Sequence, residues 1–186
     1  MIDEIIYVIF LLALFLIPLF YLRVIKEKSW KEIRADMFPK SKGAKREIVG
    51  SLALFGALLI GFLIVASAIS VTESFTNTAI NDLGKVGTAI NEDLGSGIIF
   101  FGITLIVAVF LEEFFFRAFL VPRTGPIIST LIFTFFHLGY GSIAETIGVF
   151  CLGLILAYWY RKNNSLIQNY VGHFLYDLFA ILLYAL

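Results

Sequence analysis

Apolar residues follow one another in long runs along this chain, separated by short polar stretches. A helix needs roughly 20 mostly apolar residues to cross a bilayer. Six runs suggest membrane helices, at residues 5–25, 49–71, 97–120, 126–138, 143–160 and 166–186. Only the fourth run is short. The pattern therefore predicts an all-α fold, a polytopic membrane helical bundle of about six transmembrane helices.

The composition agrees with this pattern. Apolar residues make up 60% of the chain and charged residues only 15%. In a soluble domain, about 45–50% of the residues are apolar and about 25% are charged. The single Cys151 excludes a disulfide framework and a cysteine-based zinc ribbon. The lipid bilayer is thus an expected partner, and no nucleic-acid partner is expected.

The basic residues lie in particular loops. Nine of the fourteen Lys and Arg residues lie between Arg23 and Arg46. If six helices alternate, the loops after the first, third and fifth share one side. Those loops and the helix ends before them carry thirteen of the fourteen basic residues. The opposite loop, 72–95, contains a single basic residue, Lys85. The positive-inside rule then predicts a multi-pass protein of the cell (inner) membrane, with cytoplasmic basic loops and both termini outside.

This topology divides the chain into two parts. Residues 1–96 contain two N-terminal transmembrane helices, a basic cytoplasmic loop and a polar outer loop, and residues 97–186 contain four helices. In the basic loop, Trp30, Ile33 and Met37 fall on one helical face among lysines, which predicts a short interfacial helix. The outer loop shows no evident chemistry.

Ionisable residues also occur within or near the apolar runs: Glu112, Glu113, Arg117, His137, Glu145, His173 and Asp177. A charge at the bilayer centre costs about 2.5–3.5 kcal/mol on insertion scales, so such residues indicate a functional site by default. At 1.5 Å per residue, Glu112, His137 and His173 lie about 11–16 Å from the cytoplasmic ends of their helices. They are expected to form one polar layer, whereas Glu145 is expected near the outer end of the fifth helix, apart from them.

Helical spacing predicts two pairs within this layer. Glu113 and Arg117 are i,i+4 neighbours and can form an ion pair. Glu112 points about 100° away from Glu113 and is free to face another helix. His173 and Asp177 are also i,i+4 neighbours, so the carboxylate can orient the imidazole and select its tautomer.

Three motifs occur in order on three polar helices: EExxxR at 112–117, FxxxH at 133–137 and Hxxx(N/D) at 173–177. In this combination the sequence resembles the CAAX protease and bacteriocin-processing (CPBP) family, also called the Abi family of intramembrane proteases. The resemblance covers residues 97–186, which it marks as the catalytic core. The first two helices carry no motif.

The resemblance implies an intramembrane endopeptidase of the CAAX type. Glu112 would be the general base that activates a water molecule, assisted by His137, while His173 and Asp177 would form the side that stabilises the oxyanion. Peptide hydrolysis needs such a base and such donors. The partners implied are a membrane-associated peptide or a prenylated protein, with bacteriocin precursors as a further substrate class.

The same resemblance gives Glu113 and Arg117 a supporting role in the local geometry, and Arg117 a further contact with a substrate carboxylate. Asp177 stands where members that resemble the eukaryotic prenyl-protein endopeptidase usually have Asn. An ionised Asp cannot donate to an oxyanion, so Asp177 must be protonated or act through His173.

Metal dependence stays open at this point. Glu112, His137, His173 and Asp177 could supply three or four zinc ligands. The chain lacks the helical His pair that usually anchors zinc, so a metal-free glutamate mechanism without a cofactor is favoured.

Two functions from other classes also stay open. The protein could be a non-catalytic immunity factor or scaffold, or a proton or ion carrier that uses the same buried polar cluster. Other intramembrane proteases fit poorly, because the chain has no HExxH, no Gly-x-Ser-x opposite a His and only one intramembrane Asp.

Overall fold

The computed structural model describes residues 2–95 and 97–185. Within these ranges the chain is helical, with no strand. The α-helices are α1 (Ile2–Phe20), α2 (Trp30–Met37), α3 (Ala44–Thr76), α4 (Gly84–Gly95), α5 (Ile98–Glu112), α6 (Val121–His137), α7 (Ile143–Asn163) and α8 (Leu166–Ala185). Two π-helices, Tyr21–Ile25 and Glu113–Leu120, continue α1 and α5, and a 3-10 turn, Leu138–Tyr140, follows α6. The predicted all-α bundle is confirmed.

Five helical stretches of the described chain are long and apolar enough to cross a membrane: Ile5–Ile25, Ala44–Thr76, Ile98–His137, Ile143–Asn163 and Leu166–Leu183. The protein is therefore a multi-pass membrane protein. The third stretch joins the two runs that the sequence separates at 97–120 and 126–138.

This third stretch is a helical hairpin. Gly125 has φ 83° and ψ 167°, values outside the helical region that favour glycine. The rings of Phe116 and Phe136 lie 6.1 Å apart, whereas a straight helix would separate them by about 30 Å. The second arm, from Pro126 to His137, is about 18 Å long and shorter than the roughly 30 Å hydrocarbon core. When the two arms of the hairpin are counted separately, the chain has the six predicted helices. The fourth of them, the second arm, is too short to cross the membrane by itself.

Contacts between loops support the predicted alternation of the helices. At one end, three contacts join the basic loops: Arg123 with Asp36, Ser165 with Glu47, and Lys42 with the carbonyl of Asn163. At the other end, Ser142 donates to Asp82 at 2.6 Å and so joins the turn after α6 to the segment after α3. The loops after the first, third and fifth predicted helices thus share one face, called the basic face below.

The π-helix Glu113–Leu120 forms the centre of the bundle. All eight of its residues are buried. Phe114 packs against Phe15 of α1 and Phe38 after α2, with ring centroids 5.6 Å apart in both pairs. The sequence predicts a helix here but not its π form, which is uncommon and often found at functional sites.

The basic loop contains the predicted short helix, but its burial differs from the prediction. In α2, Ile33 and Met37 are buried against the bundle, and Trp30 is exposed. Ser29 and Glu32 form a capping box that fixes the start of the helix. The helix thus packs on the protein through one face because the π-helix offers it an apolar surface.

Asp82 caps the N-terminus of α7 from a separate segment of chain. Its carboxylate accepts hydrogen bonds from the Ser142 hydroxyl and from the backbone N–H groups of Ile143 and Ala144. Lys85 lies 3.0 Å from the same carboxylate. The hydroxyl of Ser142 and the ammonium of Lys85 hold the pKa of Asp82 well below its usual range.

We predict that Asp82→Asn lowers the melting temperature of the protein in detergent at pH 7, because an amide offers one acceptor oxygen where the carboxylate offers two. A carboxylate with a lowered folded-state pKa stabilises the fold above its unfolded pKa of about 3.9 and loses that contribution as the pH falls toward the folded value. The difference in melting temperature should therefore be full at pH 7 and shrink below about pH 4. The exposed Glu92→Gln variant is the control, and an Asp82→Asn variant that melts with the wild type at pH 7 would refute the cap.

Candidate active site

The predicted polar layer is present, and its closest contact joins the π-helix to α8. Glu113 Oε1 lies 2.9 Å from Nδ1 of His173. The Phe133 ring of α6 packs against both histidines, with centroid distances of 4.4 Å to His137 and 6.2 Å to His173. Side chains from three separate helices therefore meet inside the bundle.

Glu113, and not Glu112, is the carboxylate that contacts His173. Glu113 is fully buried, and the same Oε1 atom lies 3.4 Å from Nε of Arg117. The predicted i,i+4 ion pair with Arg117 is thus present. The same carboxylate of Glu113 also contacts His173. Sequence reasoning gave Glu113 only the Arg117 partner.

Glu112 is half-buried beside this buried group. Its carboxylate interacts electrostatically with His173, Glu113 and Arg117. It accepts no hydrogen bond from the residues that the structure describes. Glu112 therefore has both oxygens available for a water molecule or a substrate.

The hydrogen bond of His137 selects its tautomer. Nδ1 of His137 lies 2.9 Å from the Phe133 carbonyl oxygen, four residues earlier on the same helix. A carbonyl can only accept, so Nδ1 must carry the proton, and in the neutral ring Nε2 is then the acceptor. His137 also interacts electrostatically with His173 and Asp177. His173 is thus the shared neighbour of His137 and Glu112.

Asp177 lies on the other side of the His173 ring. Its Oδ1 is 3.5 Å from Nε2 of His173, and its side chain is 26% exposed. The predicted i,i+4 pair is present as a long contact. Because ionised carboxylates only accept, His173 satisfies Glu113 and Asp177 together when both of its nitrogens carry protons.

Glu145 lies where the sequence predicts it within its helix, in the first turn of α7 and away from the basic face. The sequence also places it apart from the polar layer, whereas its carboxylate interacts electrostatically with both His137 and Asp177. A tight turn joins His137 to the start of α7 at Ile143 and accounts for this proximity.

One family model matches this part of the chain. Residues 94–179 match the family described as type II CAAX prenyl endopeptidase Rce1-like. These 86 of the 186 residues are therefore similar to the domain of that family. The match includes all three motifs and confirms the resemblance that they carry. No curated protein and no solved structure is similar enough to the chain to match it.

The Rce1-like family is a family of proteases that act on membrane-associated substrates. The polar cluster therefore lies in the part of the chain that is similar to this protease family.

Arg117 is enclosed by protein. Its side chain is 0% exposed, and its guanidinium carbon lies 4.4 Å from the centre of the Phe133 ring. That distance is in the range of a cation–π interaction. In this arrangement Arg117 faces protein groups, so the substrate contact implied by the resemblance requires its environment to open.

Sequence reasoning missed several buried polar groups in this part of the chain, among them the side chains of Thr130, Thr134 and Asn169 and the hydroxyl of Tyr160. A Thr or Tyr in an apolar run is usually a packing residue and gives no separate signal. Asn169 had a usable signal, because it precedes His173 by four residues and so shares its helix face.

The cluster as arranged does not fit a zinc ion. Both ring nitrogens of His173 face carboxylates, whereas a histidine ligand needs one nitrogen free for the metal. Among the side chains that the structure describes, no group of three or more His, Cys, Asp or Glu is placed to hold a metal ion.

We predict that Glu113→Gln destabilises the domain by about 3–5 kcal/mol, because it leaves Arg117 buried without its counter-charge. Glu112→Gln should cost less than about 1 kcal/mol, since no described group depends on it for a hydrogen bond. Both values can be measured by unfolding in mixed micelles with increasing SDS. Equal costs for the two variants would contradict the assignment of Glu113 as the buried partner.

Proposed function

We propose that the protein is an intramembrane endopeptidase of the CAAX type, in which Glu112 activates the water that hydrolyses a peptide bond. The observation that carries the proposal is a half-buried carboxylate beside a histidine cluster, in the part of the chain that is similar to a protease family. The bilayer lowers the local dielectric around these groups, which strengthens their effect on a developing charge.

The proposed reaction proceeds in two stages. Glu112 takes a proton from water, with Nε2 of His137 as a second acceptor, and the hydroxide oxygen attacks the carbonyl carbon. The carbonyl oxygen becomes an oxyanion. Glu112 then passes the proton to the amide nitrogen, and the oxyanion re-forms the C=O bond as the C–N bond breaks. The resulting carboxylic acid gives its remaining proton to the released amine, which leaves a carboxylate and an ammonium group.

We assign the oxyanion side to the positive charge of a doubly protonated His173, whose two N–H groups stay on the carboxylates that flank the ring. Asp177 accepts from this ring, so it acts as a positioning residue. Glu113 has the same function from the other side of the ring and also compensates the charge of Arg117. This division of roles suits an Asp at the last motif position, because it needs no donor there.

We further propose that the basic face is cytoplasmic, by the positive-inside rule, and that both termini lie outside. Substrates would reach the site from the cytoplasmic leaflet. Prenylated CAAX tails are one candidate substrate class, and bacteriocin precursors and other membrane peptides are the others.

We predict that Glu112→Gln lowers the cleavage rate by about 10²–10⁴-fold, the usual contribution of a general base. The assay uses proteoliposomes, a fluorogenic farnesylated CAAX peptide and a fluorogenic bacteriocin-precursor peptide. Glu92→Gln, a matched change at an exposed position of α4, should retain the wild-type rate.

Two outcomes would contradict the proposal. A Glu112→Gln variant that cleaves at the wild-type rate would remove the general base. A wild type that cleaves neither peptide, together with a proton flux into the liposomes that Glu112→Gln abolishes, would favour the carrier function.

We predict that chelators do not inhibit cleavage, because the proposed mechanism uses no metal and His173 has no free nitrogen for one. The wild-type rate should be unchanged after dialysis against EDTA and after addition of 1,10-phenanthroline. A loss of activity that added zinc restores would instead assign a metal to the site.

A further inference from the structure

A cavity lies at the basic face, outside the catalytic cluster, where the start of α3 meets the end of α7 and the start of α8. It has a volume of about 240 Å³ and is called the α3–α7 cavity below. Its lining includes Arg46, Gly50, Trp159, Lys162 and Gln168. A wider hollow of about 470 Å³ borders it, and residues near the start of α3 line both spaces. The proposed peptidase mechanism uses none of these side chains.

Gln168 forms a polar floor in the α3–α7 cavity, and three neighbours fix its side chain. Its Oε1 atom accepts a hydrogen bond from the indole N–H of Trp159 at 3.1 Å. Its amide nitrogen donates to the Arg46 carbonyl at 3.4 Å. An added Cβ at Gly50 would lie 2.3 Å from the side-chain amide carbon of Gln168, so the glycine leaves the room that this side chain occupies. The floor is therefore neutral and held in place by the protein itself.

The cations of the α3–α7 cavity have no acidic partner. Arg46 and Lys162 line it, and neither forms an ion pair within the described residues 2–95 and 97–185. Glu47 follows Arg46 in the chain, but this residue is buried. Its carboxylate accepts hydrogen bonds from the Ser165 hydroxyl at 2.5 Å and the backbone N–H of Lys42 at 2.8 Å. Because α3 also begins here, the positive end of its dipole adds to the two cations, and the cavity favours an anion.

The position of the α3–α7 cavity along the helices corresponds to the level of the lipid headgroups. Arg46 comes just before the apolar run 49–71, and Lys162 comes just after the run 143–160. Both side chains are exposed. Trp159 lines the cavity with them, and tryptophan is enriched where the hydrocarbon core meets the headgroups. An anion in the cavity would therefore lie at the surface of the bilayer.

An exposed apolar strip continues from the α3–α7 cavity along α3. Val49 and Ala53 line the cavity, and Ile60 lies on the same face of the helix, because 11 residues make about three turns. Val49 is 57% exposed and Ile60 is 61% exposed. In a bilayer this strip faces the acyl chains. A soluble anion would contact the cations alone, whereas a phospholipid would contact the cations and the strip together.

We propose that the α3–α7 cavity binds an anionic phospholipid, with the phosphate between Arg46 and Lys162 and one acyl chain along the strip on α3. Basic pockets between membrane helices bind anionic headgroups for the same electrostatic reason. The bound lipid links the start of α3 to the end of α7. This inference goes beyond the peptidase function and does not rest on it, because lipid binding is measured without turnover.

Fluorescence quenching of Trp159 tests the site directly, because this side chain lines the cavity. The chain has two tryptophans, so Trp30→Phe leaves Trp159 as the only one. The full chain is reconstituted in phosphatidylcholine vesicles with the same small fraction of either brominated phosphatidylglycerol or brominated phosphatidylcholine. Bromine quenches a tryptophan that it contacts. The anionic lipid should quench Trp159 several-fold more strongly, and equal quenching by the two lipids would overturn the inference.

Matched variants separate the cavity from the general charge of the basic face. Arg46→Gln with Lys162→Gln should make the two brominated lipids quench equally. Lys162→Gln alone should reduce the difference, and it serves if the double variant does not fold. Lys31→Gln with Arg34→Gln removes the same charge from exposed positions of α2 and should keep the several-fold difference. A difference that both double variants lose, or that both retain, would contradict binding in the cavity.

A soluble anion is the alternative occupant, and the choice of salt distinguishes it from a lipid. The preference for the anionic lipid should be the same in sodium phosphate and in sodium chloride of equal ionic strength. A preference that disappears in phosphate alone would assign the cavity to free phosphate and overturn the lipid site.

Discussion

A charged side chain inside a bilayer needs a partner, and Glu113 has two. Its Oε1 atom contacts Arg117 on the same helix and His173 on α8. The side chains of all three residues are buried. Leaving either cation buried alone would cost several kcal/mol. This constraint fixes the rotation of the π-helix relative to α8. The position of Phe133 depends on the same constraint. Its ring covers the face of Arg117, and this contact holds the second arm of the hairpin against the π-helix.

Much of the architecture could be predicted from the sequence because it follows from polarity alone. Apolar runs of sufficient length give the helices, and the concentration of cations between Arg23 and Arg46 gives the alternation that loop contacts such as Arg123–Asp36 support. The polar layer was predictable because i,i+4 spacing pairs residues within a helix whatever surrounds it. The pair His173–Asp177 is an instance of this rule.

Contacts between helices depend on angles that the sequence does not state. An α-helical rotation of 100° per residue leaves open which of two adjacent carboxylates faces a neighbouring helix. The π-helix, with its i→i+5 hydrogen bonds, begins at Glu113 and alters that rotation where the motif lies. The proximity of Glu145 to His137 was not predictable for a related reason, because it depends on the tight turn between α6 and α7. Thr130 and Tyr160 look like packing residues in the sequence, because only the structure shows that their hydroxyls are buried.

The account of the site therefore depends on a direct interaction between Glu113 and His173. A double-mutant cycle measures it most directly, with Glu113→Gln, His173→Leu and the double variant unfolded in lipid bicelles. For two buried groups in contact, the account predicts a coupling free energy of about 1–3 kcal/mol, so that the double variant loses less stability than the two single variants together. Strictly additive losses would mean that the two side chains do not meet, and would contradict the account.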